Sequence, residues 1–299
     1  MSLNRLSYIG TRLSEGFSSP VEGASYLADA VVGNLRIRLG DYHVSPSSST
    51  VHEDSWDVLI VLDACRYDSF VEQNPFEAPC QRRVSQAPNT RPWFLKNFVW
   101  VPSGAVSDIV YVTANPKTAE ALDDENRFYR FDRVFESHWD SSVDSVLPEE
   151  LTDVALDRAE RFPDKRLVVH YLQPHGPFVG ADQPSLHMYQ YQQLRRGEVS
   201  IEAVLEAYRT SLSRVLTEVK RLVDGVSGDV VVTADHGESF GEAGIYGHPP
   251  WANSDRLLYV PWVELEGAGN PPRYETQALE SHRDVTTTTE EQLESLGYH

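Results

Sequence analysis

Two apolar runs, each ending at an aspartate, constrain the fold more than any other feature of the chain. Trp56 to Leu62 reads WDVLIVL and is followed at once by Asp63, while Asp229 to Thr233 reads DVVVT and leads through Ala234 to Asp235 and His236. Short, β-branched, nearly continuous apolar runs suit strands buried on both faces of a parallel sheet. Open α/β sheets place their ligand sites beyond the carboxyl ends of such strands. Two strands that deliver a carboxylate to one edge predict a site there.

The second run opens the stretch Val230 to Pro249, VVVTADHGESFGEAGIYGHP. Asp235 beside His236 offers a hard oxygen and a borderline nitrogen to a metal ion, and Gly237 lets the turn come close to a substrate. His248 lies twelve residues past His236. A polar turn after a strand is the plain alternative for Asp235 and His236. For Asp63 the alternative is an N-cap of a helix over Ala64 to Glu72.

Further elements complete an α/β alternation. Arg82 to Gln86, Val106 to Thr113, Asp132 to Phe135, Arg166 to Leu172 and Leu257 to Leu265 read as strands, and Pro148 to Arg161 as a helix. Glu198 to Val223 carries apolar residues at spacings of three and four, among them Val204, Tyr208, Leu212, Val215 and Val219, which predicts a long amphipathic helix. The expected fold is a three-layer α/β/α sandwich with a mostly parallel central sheet. It spans residues 51–270, behind a helical extension and Ser-rich linker over 1–50 and ahead of a tail over 271–299. In the extension, Leu3 to Glu15 and Pro20 to Leu39 are expected to form amphipathic helices packed on the core, with a partner or a membrane surface as the alternatives.

Three more residues stand where chemistry could use them. Thr90 precedes Pro92 in TRPWF, at the start of a predicted helix whose unpaired N–H groups favour anions, so its hydroxyl either caps that helix or faces a phosphoryl group. His175 follows the Arg166 strand on the stiff loop QPHGPF, where an imidazole can exchange a proton near neutrality. His170, inside that strand, reads as a satisfied structural histidine.

The chain has 45 acidic against 26 basic residues, a formal charge of −19, and only 4 lysines. So acidic a surface repels nucleic acid and predicts a salt-tolerant protein from a halophilic host. Cys65 and Cys80 form no C-x-x-C motif, and no apolar run approaches the roughly 18 residues that span a bilayer. Together with the absence of an apolar N-terminal leader, this predicts a cytoplasmic protein with reduced cysteines.

These stretches resemble the alkaline phosphatase superfamily, and within it the sulfatase-like branch of sulfatases, phosphonate monoester hydrolases and phosphoglycerol transferases. VLIVLDACRYD is similar to the family's first strand and metal-binding aspartate; TRPWF resembles its nucleophile motif; QPHGPF resembles its H-x-P loop; TADHGESFGEAGIYGHP resembles its D-H-G-E segment. The resemblance implies that Asp63, Asp235 and His236 hold a divalent cation, with Thr90 as nucleophile, His175 and His248 as proton donors or substrate contacts, and Arg66 or Arg91 adding positive charge. Zinc, manganese, magnesium and calcium all suit such donors, and one ion is expected rather than two: His175 and His248 could supply the histidines of a further Asp/His/His set, but no aspartate stands in the right place for it, and Glu238 reads as a group that orients the site.

The chain departs from sulfatases at two places. Ala64 stands where they carry a second aspartate, and Thr90 cannot become the formylglycine that their Cys or Ser becomes. The expected activity is therefore hydrolysis or transfer of phosphate esters through a Thr-phosphoryl intermediate, on small-molecule, glycan-linked or lipid-linked substrates. Sulfate ester hydrolysis is the alternative, as is an inactive binding protein in surface-glycan metabolism. Ser85 is a second candidate nucleophile. Ser239, central in G-x-S-x-G, would serve an α/β-hydrolase, but that elbow turns directly from strand to helix and this one does not.

Overall fold

In the computed structural model, residues 20–40, 42–122, 124–180, 190–268 and 287–296 are described. The predicted helix over Leu3 to Glu15 lies outside them. Nine strands follow in chain order: β1 Val58–Asp63, β2 Gln81–Val84, β3 Ile109–Thr113, β4 Arg130–Arg133, β5 Trp139–Asp140, β6 Ser145–Val146, β7 Arg166–Pro174, β8 Ser227–Ala234 and β9 Tyr259–Ala268. Seven form one sheet in the order β2-β9-β8-β1-β7-β3-β4, and β5 pairs with β6 in a small hairpin.

The four central strands β8, β1, β7 and β3 run parallel, as does β4, while β9 is antiparallel to both β8 and β2. The all-apolar character of β1 has a direct cause, since Leu59, Ile60, Val61 and Leu62 are all fully buried at the centre of the sheet. Ile60 and Leu62 share a cluster with Leu151 and Val154 of the Pro148–Arg161 helix and with Leu212, Val215 and Val219 of the Ile201–Gly225 helix. Leu59 and Val61 face the opposite layer, where Trp93, Phe94 and Phe98 pack with Tyr111 and Val168. Helical layers thus cover both faces, and the expected three-layer sandwich is present.

The boundaries shift by a few residues, with physical reasons. No helix starts at Ala64, because that residue is left-handed (φ 58°) and turns the chain before the Tyr67–Gln73 helix begins. Asp63 therefore ends a strand and caps nothing. The Val106 strand starts only at Ile109, behind a 3₁₀ turn over Ser103–Ala105. Pro20–Leu39 docks through Ile37, which is buried with Ile245, Ala252 and Leu257. Within the tail, the Thr289–Ser295 helix is seated by Gln292, whose buried Nε2 donates to the Phe135 carbonyl at 3.0 Å, and by buried Leu296. Among the described residues no helix is long and apolar enough to cross a membrane.

Because Ile60 has no exposed surface and contacts helices on one face of the central strand, Ile60→Ala is expected to lower the unfolding free energy by ~2–5 kcal/mol, measured by denaturant titration.

Candidate metal centre and nucleophile

The neighbouring strands β8, β1, β7 and β3 deliver their next residues to one place. Asp63 ends β1, Asp235 and His236 follow β8, His175 follows β7, and Asn115 follows β3. Asp63, Asp235 and His236 are fully buried, and one donor atom from each lies within 4.8 Å of the others. His236 Nε2 is 3.3 Å from Asp63 Oδ1 and 3.4 Å from Asp235 Oδ2.

Each ligand is aimed by its surroundings. His236 Nδ1–H donates to the Gly237 carbonyl at 2.8 Å, which leaves Nε2 as the coordinating atom. Asp235 Oδ1 accepts from the backbone N–H groups of Ala64 (3.1 Å) and His236 (2.8 Å). Its Oδ2 is buried and accepts no hydrogen bond among the described residues. Asp63 Oδ2 accepts from Asn115 Nδ2 at 2.5 Å, and that amide is oriented by Lys117 N–H, which donates to Asn115 Oδ1 at 2.7 Å. Asn115 carries no mark of this role in the sequence. Its Asn-Pro helix start was the only signal, and nothing in it points across 52 residues to Asp63.

Thr90 completes the cluster. Asn89 is the N-cap of the Thr90–Phe94 helix, and neither its side chain nor that of Thr90 caps the free N–H groups. The buried Thr90 hydroxyl instead lies 3.3 Å from His236 Nε2 and 3.5 Å from Asp63 Oδ1. The capping alternative does not hold.

The charges are those of a cation site. Burial alone would lower the His236 pKa, but the carboxylates of Asp235 and Asp63 raise it to about 9. Burial would raise Asp63, yet His175 and His236 bring it down to about 2. Asp235 is raised, chiefly by burial. Two carboxylate oxygens, an imidazole nitrogen and a hydroxyl around one point, with Asp235 Oδ2 otherwise unpartnered, fit a divalent ion such as zinc or manganese.

A second donor group adjoins the first. His175, Glu238 and His248 also bring donor atoms within 4.8 Å of one another, and the His236 and His248 ring centroids are 4.6 Å apart. Glu238 is fully buried; it accepts from His248 Nδ1–H at 3.1 Å and from the Tyr191 hydroxyl at 2.5 Å. Among the described residues no aspartate takes part in this second group; its carboxylate is Glu238, three residues past Asp235 and held against His248. Burial lowers the pKa of His175, while His248 is the chief counterweight to burial in lowering that of Glu238.

The other candidates separate clearly. The Arg66 guanidinium is engaged within the protein, bound by Asp68 (2.9 and 2.7 Å) and Glu242 (2.7 Å). Arg91 is half-buried beside Thr90 and has no ionic partner among the described residues. Ser85 Oγ bonds the Asp235 and Ala87 carbonyls and serves the loop. Ser239 Oγ donates to Glu242 (3.1 Å) rather than to a histidine, so no hydrolase dyad exists there. His170 is only half satisfied: Nδ1 lies 2.9 Å from the Tyr111 hydroxyl, while Nε2 stands 3.8 Å from Asp235 Oδ2 without a hydrogen bond.

A seven-stranded, mostly parallel sheet with an acidic and histidine-rich site at its carboxyl edge defines the alkaline phosphatase-like architecture of the sulfatase branch. The Sulfatase family model matches residues 64–293, so the chain belongs to the sulfatase family. Among solved structures it is similar to the integral membrane lipooligosaccharide phosphoethanolamine transferase A (EptA) from Neisseria meningitidis, with 13% identity and TM-score 0.53 over 76% of this chain and 50% of that one. The soluble domain of that Neisseria meningitidis transferase matches with 14% identity and TM-score 0.51, over 76% of this chain and 80% of the other. The chain thus spans half the length of the full-length transferase. No curated protein sequence matches it.

A cation at Asp63, Asp235 and His236 must displace the proton on His236, whose pKa the two carboxylates raise, against burial, to about 9. In the cation-free protein that raised pKa stabilises the fold below the ordinary histidine value of about 6.5, an effect lost as pH climbs through 9. Zinc or manganese affinity is therefore expected to rise by up to about tenfold per pH unit between pH 7 and 9 and to level off above, with proton release shown by calorimetry in buffers of different ionisation enthalpy.

Gly237 makes a separate prediction. A Cβ there would overlap the backbone carbonyl of Arg256, so Gly237→Ala is expected to displace His236 and weaken cation binding at least tenfold, read by the same titration.

Proposed function

We propose that the chain is a metal-dependent enzyme that hydrolyses or transfers phosphate esters, with Thr90 as the nucleophile. The observation that carries this reading is the fully buried Thr90 hydroxyl, which caps no helix and points into the Asp63, Asp235 and His236 cluster. Asp63, Asp235 and His236 would hold a divalent cation, which would supply Lewis-acid charge to a phosphoryl oxygen and lower the pKa of the hydroxyl.

Thr90 Oγ1 releases its proton to solvent and forms a bond to phosphorus as the ester P–O bond breaks. His175 or His248, from the adjoining cluster, gives a proton to the departing alcohol, and Arg91 adds positive charge near the phosphoryl group. Water or an acceptor hydroxyl next forms its own bond to phosphorus, releasing Thr90. Glu238 holds His248 through Nδ1 and so fixes the orientation of its ring. The names of the two Neisseria proteins describe group transfer of the same kind, and glycan- or lipid-linked phosphate esters are the substrate class that we favour.

Sulfate hydrolysis is disfavoured because threonine cannot form the aldehyde through which sulfatases release sulfate. Aryl phosphate monoesters, diesters, phosphonates and sulfates assayed against a panel of divalent ions should show turnover of a phosphorus ester. Thr90→Ala and Asp235→Ala should reduce it by on the order of 10³-fold or more, and intact-mass analysis should detect phosphorylated Thr90. Full activity of Thr90→Ala would remove the nucleophile assignment, and preferential sulfate turnover would replace the reaction class.

A further inference from the structure

The turn after Asp63 adopts a conformation that its residue does not favour. Ala64 has φ 58°, one of three non-glycine residues with positive φ among those described, and an L-alanine in this region brings Cβ against the following carbonyl. The position matters, because the left-handed turn directs Ala64 N–H at Asp235 Oδ1 (3.1 Å). It also comes directly after Asp63, where the register between β1 and β7 shifts past Leu62.

One side chain closes this turn. The Tyr208 hydroxyl, from the middle of the Ile201–Gly225 helix, donates to the Ala64 carbonyl and accepts from the Arg66 N–H, both at 2.9 Å. It thereby bridges the residues on either side of Cys65. Its ring is fully buried and anchored edge-on to Phe178 (6.0 Å) and Phe240 (5.2 Å). Burial raises the Tyr208 pKa well above the usual phenol range, so the hydroxyl keeps its proton for donation.

We propose that Tyr208 is a positioning residue for the metal centre: its hydroxyl clamps Ala64 in the left-handed turn that aims Asp63 and fixes Asp235 through the Ala64 N–H. The inference rests on the reading of Asp63, Asp235 and His236 as cation ligands. At the position of the second aspartate of sulfatases, this chain places a backbone donor to a ligand instead of a ligand. Because the clamp and the ligand share the same short turn, loosening one disturbs the other.

Tyr208→Phe keeps the ring and removes both hydrogen bonds. Two readouts test it, on protein whose fold is checked by circular dichroism. Amide hydrogen exchange at Ala64 in the cation-free protein reads the clamp itself, and the zinc or manganese dissociation constant reads its consequence. Tyr208→Phe is expected to speed exchange at residue 64 and to weaken cation binding by about 10–100-fold. Adding Ala64→Gly, which adopts positive φ without steric cost, should restore much of both in the double variant.

Unchanged exchange at Ala64 in Tyr208→Phe would overturn the clamp. So would a loss of cation affinity that Ala64→Gly leaves unrepaired, because Tyr208 would then act through packing and not through the turn. If the wild-type protein binds no divalent cation, the reading of the metal centre fails, while exchange at residue 64 still decides whether Tyr208 holds the turn. Should Tyr208→Phe not fold, Ala64→Val applies the same strain from the other side, since a β-branched residue disfavours positive φ. It is expected to speed exchange at residue 64 with Tyr208 intact, and unchanged exchange there would overturn the clamp.

Discussion

Two carboxylates and an imidazole lie fully buried within 3.4 Å of a shared point, and the structure around them depends on that concentration of charge. Burying ionised groups is costly unless each is paired and hydrogen-bonded. Asp63 has Asn115 on one oxygen, and Asp235 has two backbone N–H groups on one of its own. The oxygen and nitrogen atoms that remain converge on the Thr90 hydroxyl. The compensation is complete except where a cation would sit.

The sheet makes this convergence possible. Parallel strands end on one side, so the residues that follow β8, β1, β7 and β3 meet although they come from distant parts of the chain. The helices and loops then lock the ligands. The Asn89–Thr90 helix start places the Thr90 hydroxyl, the Pro116–Glu120 helix start holds Asn115, and the long Ile201–Gly225 helix reaches the Asp63 turn through Tyr208. The second cluster is continuous with the first, because Asp235, His236 and Glu238 share one turn, and Gly237 allows that turn to pass against the Arg256 backbone.

Much of this could be read along the chain. Continuous apolar runs marked the central strands because those strands are covered on both faces, and the three-four periodicity marked the long helix because only one of its faces is buried. Asp63, Asp235 and His236 were recognisable as ligand candidates from their place directly after such runs. Thr90 was recognisable but ambiguous, since a hydroxyl at a helix start has an ordinary structural use.

The rest was hidden because it depends on pairs of residues far apart in sequence. Asp68 and Glu242 bind the Arg66 guanidinium, His175 and His248 gather around Glu238, and neither the Asn-Pro helix start of Asn115 nor the place of Tyr208 in an apolar periodicity points to the residues they contact. Patterning of apolar residues and the ends of strands determined the layer architecture and the edge on which chemistry is placed, because burial acts on each residue locally. Only the tertiary structure decided which polar groups face each other there. Hydrogen bonds and charge pairs are made between side chains whose separation along the chain says nothing about their distance in space.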